Sequence, residues 1–203
     1  RIGAITNFRH QDAMHQKSQG PSRGELIRGF LEGTDPPQTY LDRIRPSKNQ
    51  YNGFNIVVGE ITDLWWYANV SDEKKKLTPG IHGISNHLLN TPWPKVEKIK
   101  SALSGIIEEN RAIDAERFFD VLSDQTQPPD DELPDTGVGL EWERILSPIF
   151  ISSSIYGTRS SSVILMDRHQ HVTFYERPFA FEDNTIAARE TRRFEFTISQ
   201  NHR

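Results

Sequence analysis

Short apolar segments, each bounded by polar or turn-forming residues, predict the β-strands of this chain. The first covers residues 2–8. Residues 53–60 and 61–69 are rich in β-branched and aromatic residues, and a turn at Thr62-Asp63 predicts that they form a hairpin. Further strands are predicted at residues 81–85, 149–156, 161–167, 171–176 and 194–198, the last from strict alternation of apolar and polar residues.

Apolar residues spaced three or four apart predict four helices between these strands. Ser22 is suited to cap the first helix, and Thr34 or Asp35 is suited to cap a second that has prolines in its first turn. A longer helix covers about residues 94–110, and a fourth covers residues 112–122. Each of these helices has one apolar face, which predicts packing against a sheet.

The order of these elements predicts the fold class. The strands occur in runs and do not alternate singly with helices, so mostly antiparallel sheets are expected rather than a parallel sheet. Residues 71–80, which are highly charged, and residues 124–139, which contain three prolines, are predicted to be exposed loops. We therefore expect a layered α+β domain in which helices cover the sheets.

Composition narrows the classes of function. The 203 residues include 24 Lys and Arg, 28 Asp and Glu and no Cys, which gives a net charge of −4. The negative charge argues against a nucleic-acid-binding surface, and the lack of Cys excludes a Cys nucleophile or a Cys-based zinc site within these residues. No apolar run approaches the roughly 20 residues of a membrane helix, and no signal peptide opens the chain. We expect a cytoplasmic protein with no membrane span.

The spacing of the histidines does not indicate a metal site. His10 and His15 are five residues apart, as are His82 and His87, whereas a helical pair of metal ligands is four apart. Motifs of metalloproteases, serine hydrolases and P-loop nucleotide-binding proteins are also absent from the sequence. We therefore expect no metal ligands, and histidines that lie in solvent or at strand edges.

Polar side chains at the ends of apolar strands are more informative. Asn7 ends the first strand, Asn52 and Asn55 flank the start of the second, and Asn86 and Arg159 each follow a predicted strand or turn. Loops held by a rigid sheet are frequent binding sites, so amides and a guanidinium at these positions are candidates for ligand binding. Any one of these asparagines is equally typical of a turn, because Asn bonds its own backbone and tolerates positive φ.

Two further features have competing interpretations. Trp65 and Trp66 must face opposite sides of a strand, so one is expected in the core, and the other belongs either to the core or to a groove. Arg23 is placed at the start of the first helix, where free N–H groups and the helix dipole favour anions. Arg23 is therefore either a clamp for a carboxylate or phosphate, or a surface residue at the helix end.

Six stretches of the chain, taken together, resemble the NRDE family, also called the transport-and-Golgi-organisation protein 2 family. The most specific stretches are GISNHLLNTPWPK and YGTRS, and the six follow the family order across nearly the whole chain. They lie at residues 5–9, 21–31, 51–55, 77–96, 156–167 and 171–177. The resemblance implies a four-layer αββα sandwich like that of the N-terminal-nucleophile hydrolases, formed as a single domain over residues 1–203.

The family usually opens with Met-Cys, followed by its Asn-Arg-Asp-Glu motif, and this chain starts at Arg1. We therefore expect either that an upstream segment completes the sheet or that a second copy, in a homodimer, covers its edge. In the related bile-salt hydrolases and penicillin acylases, an N-terminal Cys attacks an amide. By similarity, Asn7 and Asn86 would donate to the developing oxyanion, and Arg159 would supply a cation there. The hypothesis requires these three side chains to converge at the rim of the double sheet.

The resemblance also implies a role in haem trafficking and lipid or acyl-CoA homeostasis. The sequence therefore leads to the expectation of a protein that binds and transports haem, as cargo, or a similar amphipathic acid. The alternative is an amide hydrolase whose Cys nucleophile lies upstream, and the sequence leaves open whether the protein is an enzyme. The residues expected to contact the ligand are Arg9, Arg23, Asn52, Asn55 and Trp66.

Overall fold

The computed structural model describes residues 1–9, 20–109, 113–182 and 185–198. The chain divides into two compact units, one formed by residues 1–100 and 134–143 and the other by residues 101–133 and 144–203. Each unit contains an antiparallel sheet and helices, so the α+β class and the antiparallel pairing are confirmed. The four-layer stack and the single domain stay predictions.

The first unit contains a four-stranded sheet in the order β1-β2-β3-β4. Its strands are β1 (Ile2–Asn7), β2 (Phe54–Glu60), β3 (Asp63–Ala68) and β4 (Glu73–Lys76). The first strand and the hairpin are confirmed. The prediction of a loop over residues 71–80 is wrong in its middle, because β4 pairs with β3 and Lys76 forms an ion pair with Asp63 at 2.8 Å. The strand predicted at residues 81–85 is also wrong, since this segment is irregular.

Two helices cover one face of this sheet, α1 (Gly24–Glu32) and α2 (Pro37–Ile44). The Ser22 hydroxyl accepts from the Gly24 N–H at 3.3 Å at the start of α1, as a capping residue does, so this prediction is confirmed. The cap predicted for α2 at Thr34 or Asp35 is wrong, because Pro36 precedes this helix and no side chain caps it. The helices and sheet share one apolar core, made of Leu26, Phe30, Tyr40, Leu41, Phe54, Ile56, Val58 and Tyr67. Burial of these side chains fixes the helices on the sheet.

Three more helices follow in the chain: α3 (Pro94–Glu108), α4 (Ala115–Leu122) and α5 (Leu140–Leu146). The third begins in the first unit and ends in the second. The Asp114 carboxylate caps α4 by accepting from the Glu116 N–H at 3.0 Å. The helix α5 was not predicted, and residues 124–139 are irregular apart from the 3₁₀ turn Asp130–Glu132. No helix in the described ranges is long and apolar enough to cross a membrane.

The second unit contains β5 (Ser160–Met166), β6 (His171–Glu182), β7 (Thr185–Ala188) and β8 (Arg192–Thr197). The long strand β6 pairs with the other three. One face of the sheet packs on α4 through Val163 and Phe119. The strand at residues 194–198 is confirmed, but Phe194 and Phe196 are about half exposed, 50% and 53%. Residues 149–156 do not form the predicted strand and contribute only a single bridge, between Ser152 and Gly157.

Candidate functional site

The end of the first sheet gathers most of the polar residues that the sequence singles out. At this end β1 finishes and β2 begins, and the segment of residues 83–95 lies against both. We call this region the rim and define it as residues 7–9, Arg23, residues 52–55 and residues 83–95. All of them belong to the first unit.

Three hydrogen bonds hold the rim segment against β1. The Thr6 hydroxyl donates to the Ser85 carbonyl oxygen at 3.0 Å, and the Arg9 N–H donates to the Asn86 carbonyl oxygen at 2.7 Å. The Asn86 side-chain amide donates to the Asn7 carbonyl oxygen at 3.1 Å. The structure therefore brings Asn7 and Asn86 together. The Asn7 side chain is exposed to solvent, whereas Asn86 is half-buried.

Asn55 and Trp66 lie just inside the rim and are both almost fully buried, each 1% exposed. The Asn55 amide oxygen accepts from the Trp66 indole N–H at 3.0 Å. The Asn55 amide nitrogen donates to the His87 carbonyl oxygen at 3.0 Å and lies 3.2 Å from the Thr6 hydroxyl. These contacts join the three strands β1, β2 and β3 to residues 83–95 and hold that segment in place. Direct contact of Asn55 and Trp66 with a ligand stays a prediction.

Arg23 is a half-buried cation of the rim. Its Nη1 donates to the Gly53 carbonyl oxygen at 2.9 Å, and the Phe8 N–H donates to the same oxygen at 2.9 Å. Arg23 therefore lies beside the end of β1, next to half-buried Phe8. Burial lowers the pKa of Arg23 from its usual value, although an arginine stays charged at neutral pH. Asn52 is adjacent, and its carbonyl oxygen accepts from the Asn69 amide at 3.3 Å.

Three rings are in contact within the rim. The centroid of the His87 imidazole lies 4.9 Å from that of Phe8 and 5.5 Å from that of Trp93, and both pairs of rings are tilted. The Thr91 hydroxyl donates to the Leu88 carbonyl oxygen and so can only accept from His87 Nδ1, 2.9 Å away. This assigns the proton to Nδ1 and leaves the lone pair on Nε2. Burial lowers the pKa of His87, so the ring is neutral at pH 7.

A buried ion pair supports the indole of Trp93. Arg9 Nη1 lies 2.8 Å from a carboxylate oxygen of Glu143, and the two side chains are only 8% and 3% exposed. The other carboxylate oxygen of Glu143 accepts from the N–H of Thr136 at 2.8 Å and from its hydroxyl. The guanidinium carbon of Arg9 lies 5.2 Å from the centroid of Trp93. Arg9 is therefore brought to the rim as expected, but as one half of a charge pair.

Lys95 is the second cation over the same indole. Its Nζ lies 5.9 Å from the centroid of Trp93. The pKa of Lys95 is lowered to about 8, mainly by burial and also by the charge of Arg9, whereas the charge of Glu143 acts in the opposite direction. Sequence reasoning missed Lys95 and Glu143 as site residues. The signal for Lys95 was its place in the specific stretch GISNHLLNTPWPK, while nothing in the sequence marked Glu143.

Arg159 lies in the second unit, immediately before β5, and its side chain is exposed. Its carbonyl oxygen accepts from the Phe179 N–H at 2.8 Å. Its convergence with Asn7 and Asn86 stays a prediction. His10 and His15 lie outside the described residues. Across the part of the chain that the structure describes, no three His, Asp or Glu residues are grouped so that they could hold a metal ion.

The chain is similar in sequence to one protein family and to several of its animal members. The family described as Transport and Golgi organisation 2 matches residues 1–180. The Transport and Golgi organization 2 homolog of Mus musculus is 30% identical over 211 residues, covering 98% of this chain and 75% of the mouse protein. The Homo sapiens homolog is 29% identical with the same coverage. The Drosophila melanogaster protein is 24% identical, covering 87% of this chain and 66% of the fly protein.

Proposed function

Because this chain belongs to the Transport and Golgi organisation 2 family, we propose that it binds and transports an amphipathic acid, with haem as the first candidate. The rim of the first sheet is the binding site in this proposal. Such a ligand needs an apolar contact for its body and a cation for its carboxylate. The rim provides both an apolar contact, from Phe8 and His87, and a cation, Arg23.

One observation supports this proposal most directly. The Gly53 carbonyl oxygen accepts from the Phe8 backbone N–H and from Arg23 Nη1 at 2.9 Å each, so a half-buried guanidinium lies next to the backbone of Phe8. The half-buried ring of the same residue contacts His87. One Nη1 donor of Arg23 is used in this bond, and a guanidinium has five N–H donors in all. A carboxylate can bind the remaining donors while an apolar ring system lies along Phe8 and His87. The exposed Asn7 amide is a candidate for a further donor.

Arg9 has a different role in this proposal. Its guanidinium is buried and its charge is matched by Glu143, so it holds Trp93 in place and leaves recognition of the acid to Arg23. A buried, paired cation attracts a second anion weakly, because the first carboxylate already balances its charge. The expected ligand contacts are therefore Arg23, Asn7 and the exposed edges of Phe8 and His87.

Titration of the chain with haem, followed by the Soret band, tests this function. We expect a Soret shift, and a loss of affinity of at least about tenfold in Arg23→Gln, because a charge-assisted hydrogen bond contributes roughly 1.5–3 kcal/mol. Arg28→Gln is the matched control, since Arg28 lies in α1, which Arg23 directly precedes, and pairs with exposed Glu32. Protoporphyrin IX without iron should also bind, as measured by fluorescence. Absence of binding by both compounds would refute the proposal.

A second candidate function is amide hydrolysis with an N-terminal nucleophile upstream of these residues. The adjacency of Asn7 and Asn86 at 3.1 Å favours it, because the resemblance assigns both to an oxyanion hole. The Asn86 amide is occupied by the Asn7 carbonyl oxygen, so the exposed Asn7 amide is the available donor. The chain preceded by its natural upstream residues should then hydrolyse N-acyl amino acids, and Asn7→Ala should lower kcat about a hundredfold. A full-length protein without such activity would exclude this candidate.

A further inference from the structure

The His87 imidazole has one nitrogen that is open to solvent. Its Nδ1–H donates to the Thr91 hydroxyl at 2.9 Å, so the lone pair is on Nε2. Within the described part of the chain, Nε2 accepts no hydrogen bond. In the same ranges no buried side-chain nitrogen or oxygen lacks a partner, so Nε2 of this half-buried ring is accessible. The rim therefore presents an accessible lone pair on a ring of fixed tautomer.

The contacts behind this ring are those of a metal-bound histidine. Such a histidine usually donates its second ring N–H to an oxygen, which fixes both the tautomer and the orientation of the ring. Here the acceptor is Thr91, whose hydroxyl in turn donates to the Leu88 carbonyl oxygen at 2.9 Å. The rings of Phe8 and Trp93 contact the imidazole as well. These contacts restrict its rotation, so the direction of the Nε2 lone pair is set before a ligand binds.

We propose that His87 binds the iron of haem through Nε2, as an axial ligand. This inference rests on the proposed function and adds one metal bond to it. The iron accepts the Nε2 lone pair, a water bound to the iron leaves, and neither the iron nor the imidazole is oxidised or reduced. A single protein ligand is sufficient, because the porphyrin supplies four nitrogens to the iron. The absence of a cluster of His, Asp and Glu in the described ranges is therefore compatible with this bond.

The position of His87 is compatible with recognition of the acid by Arg23. Arg23 Nη1 and the Phe8 N–H donate to the same Gly53 carbonyl oxygen, and the ring of Phe8 contacts the ring of His87. Phe8 therefore connects the guanidinium and the imidazole, through its backbone on one side and its ring on the other. Haem has its iron at the centre and its carboxylates at one edge, so it needs a nitrogen ligand and a cation at separate points of one site.

A substitution of His87 tests the bond to iron. His87→Ala should change the absorption and electron paramagnetic resonance spectra of bound ferric haem, and imidazole added in solution should restore them. Haem affinity should fall at least about tenfold, because loss of even an outer-shell partner lowers metal affinity about ten- to a hundredfold. Affinity for iron-free protoporphyrin IX should fall far less, since only contact with the ring is lost.

His82→Ala is the matched control for this substitution. His82 lies in the same irregular stretch, five residues before His87, and outside the rim. Both of its ring nitrogens have partners in the chain: Nε2 lies 2.8 Å from the Thr78 carbonyl oxygen, and Nδ1 lies 3.4 Å from the Asn90 amide nitrogen. We therefore expect the spectra and the haem affinity of His82→Ala to be those of the wild type.

Carbethoxylation by diethyl pyrocarbonate tests the same bond in the wild-type chain, so the result does not depend on a variant that folds. The reagent modifies neutral imidazole nitrogens, and peptide mass spectrometry gives the rate at each histidine. Haem should protect His87 in proportion to the fraction of chain that has bound it, and iron-free protoporphyrin IX should protect this residue much less. The rate at His82 should change little with either compound.

The outcomes separate this inference from the proposed function. Equal protection of His87 by haem and by protoporphyrin IX, or unchanged spectra and haem affinity in His87→Ala, would overturn the iron bond and leave the binding of an amphipathic acid standing. Absence of binding by both compounds would refute the proposed function and this inference with it. Iron-dependent protection of His87, together with recovery of the spectra by imidazole, would support the bond.

Discussion

At the scale of single residues, the ion pair between Arg9 and Glu143 places two buried charges of opposite sign beside the rim. Its two members are 134 positions apart in sequence and join the end of β1 to α5. A buried pair contributes little compared with two apolar residues, but loss of one partner leaves an uncompensated charge. The pair therefore makes the rim sensitive to single substitutions.

Arg9→Met should lower the free energy of unfolding by about 3–5 kcal/mol, because the Glu143 carboxylate is left buried without its cation. Urea denaturation followed by circular dichroism measures this loss. Arg28→Met is the control and should lower the free energy of unfolding by less than about 1 kcal/mol, because both members of the Arg28–Glu32 pair are exposed. The double variant Arg9→Met/Glu143→Gln should recover part of the loss, because it removes the buried charge and keeps an amide oxygen that accepts from Thr136. A cost below about 1 kcal/mol for Arg9→Met alone would show that the pair is not buried as described.

His87 gives a prediction for pH dependence. Burial lowers its pKa in the folded state, so the unfolded chain binds more protons at this residue between the folded pKa and about 6.5. Its contribution to stability is therefore present above about pH 6.5 and is lost as the pH falls toward the folded pKa. His87→Gln should show a smaller drop in Tm between pH 7.5 and pH 5.5 than wild type. Long-range ¹H–¹⁵N NMR at pH 7.5 should show the Nδ1–H tautomer, and an Nε2–H tautomer would contradict the Thr91 contact.

At the scale of elements, agreement between sequence and structure follows the strength of local periodicity. The strand β1, the hairpin of β2 and β3, and α3 were predicted because their apolar spacing is regular over a full element. The strand β4 was missed because three consecutive lysines look like a solvated loop. It forms because its backbone pairs with β3, and because Lys74 and Lys76 reach Asp42 and Asp63. Tertiary partners of this kind are not visible in the local sequence.

Substitutions at two glycines test the pairing of β2 with β3 and the surroundings of α3. A Cβ on Gly59 in β2 would lie 2.3 Å from the Asp63 carbonyl oxygen and 2.8 Å from the Leu64 Cα, both of them backbone atoms of the paired strand. Gly59→Ala should therefore separate the hairpin and destabilise the chain by about 1–3 kcal/mol in urea denaturation. A Cβ on Gly105 in α3 would meet nothing within 4 Å, so Gly105→Ala should stabilise it by about 0.5–1 kcal/mol. A neutral Gly59→Ala would contradict the register of β2 and β3.

At the scale of the whole molecule, the rim illustrates which part of a site a sequence reveals. Asn7 and Asn86 were expected at one site because the family resemblance assigns both to an oxyanion hole, and the Asn86 side-chain amide donates to the Asn7 backbone carbonyl oxygen at 3.1 Å. Convergence of the two side chains with Arg159 stays a prediction. Glu143 and Thr136 were not predicted, because α5 and the loop before it had no recognisable pattern. Contacts between distant segments depend on the packing of the complete unit. The sequence therefore revealed the local parts of the site and left its charge balance unknown.

The division into two units gives the last prediction. The rim residues all lie in the first unit, so haem binding should slow amide hydrogen exchange in β1, β2 and residues 85–95, and leave β5 to β8 unchanged. Ligand at about 100 times its Kd stabilises its site by about 2.7 kcal/mol, which is large enough for hydrogen exchange to detect. Arg23→Gln at the same haem concentration should show less protection at the rim. Slower exchange in peptides that contain Arg159 would add this residue to the site and support its predicted convergence with Asn7 and Asn86. Protection confined to the second unit would place the ligand elsewhere and contradict the proposed function.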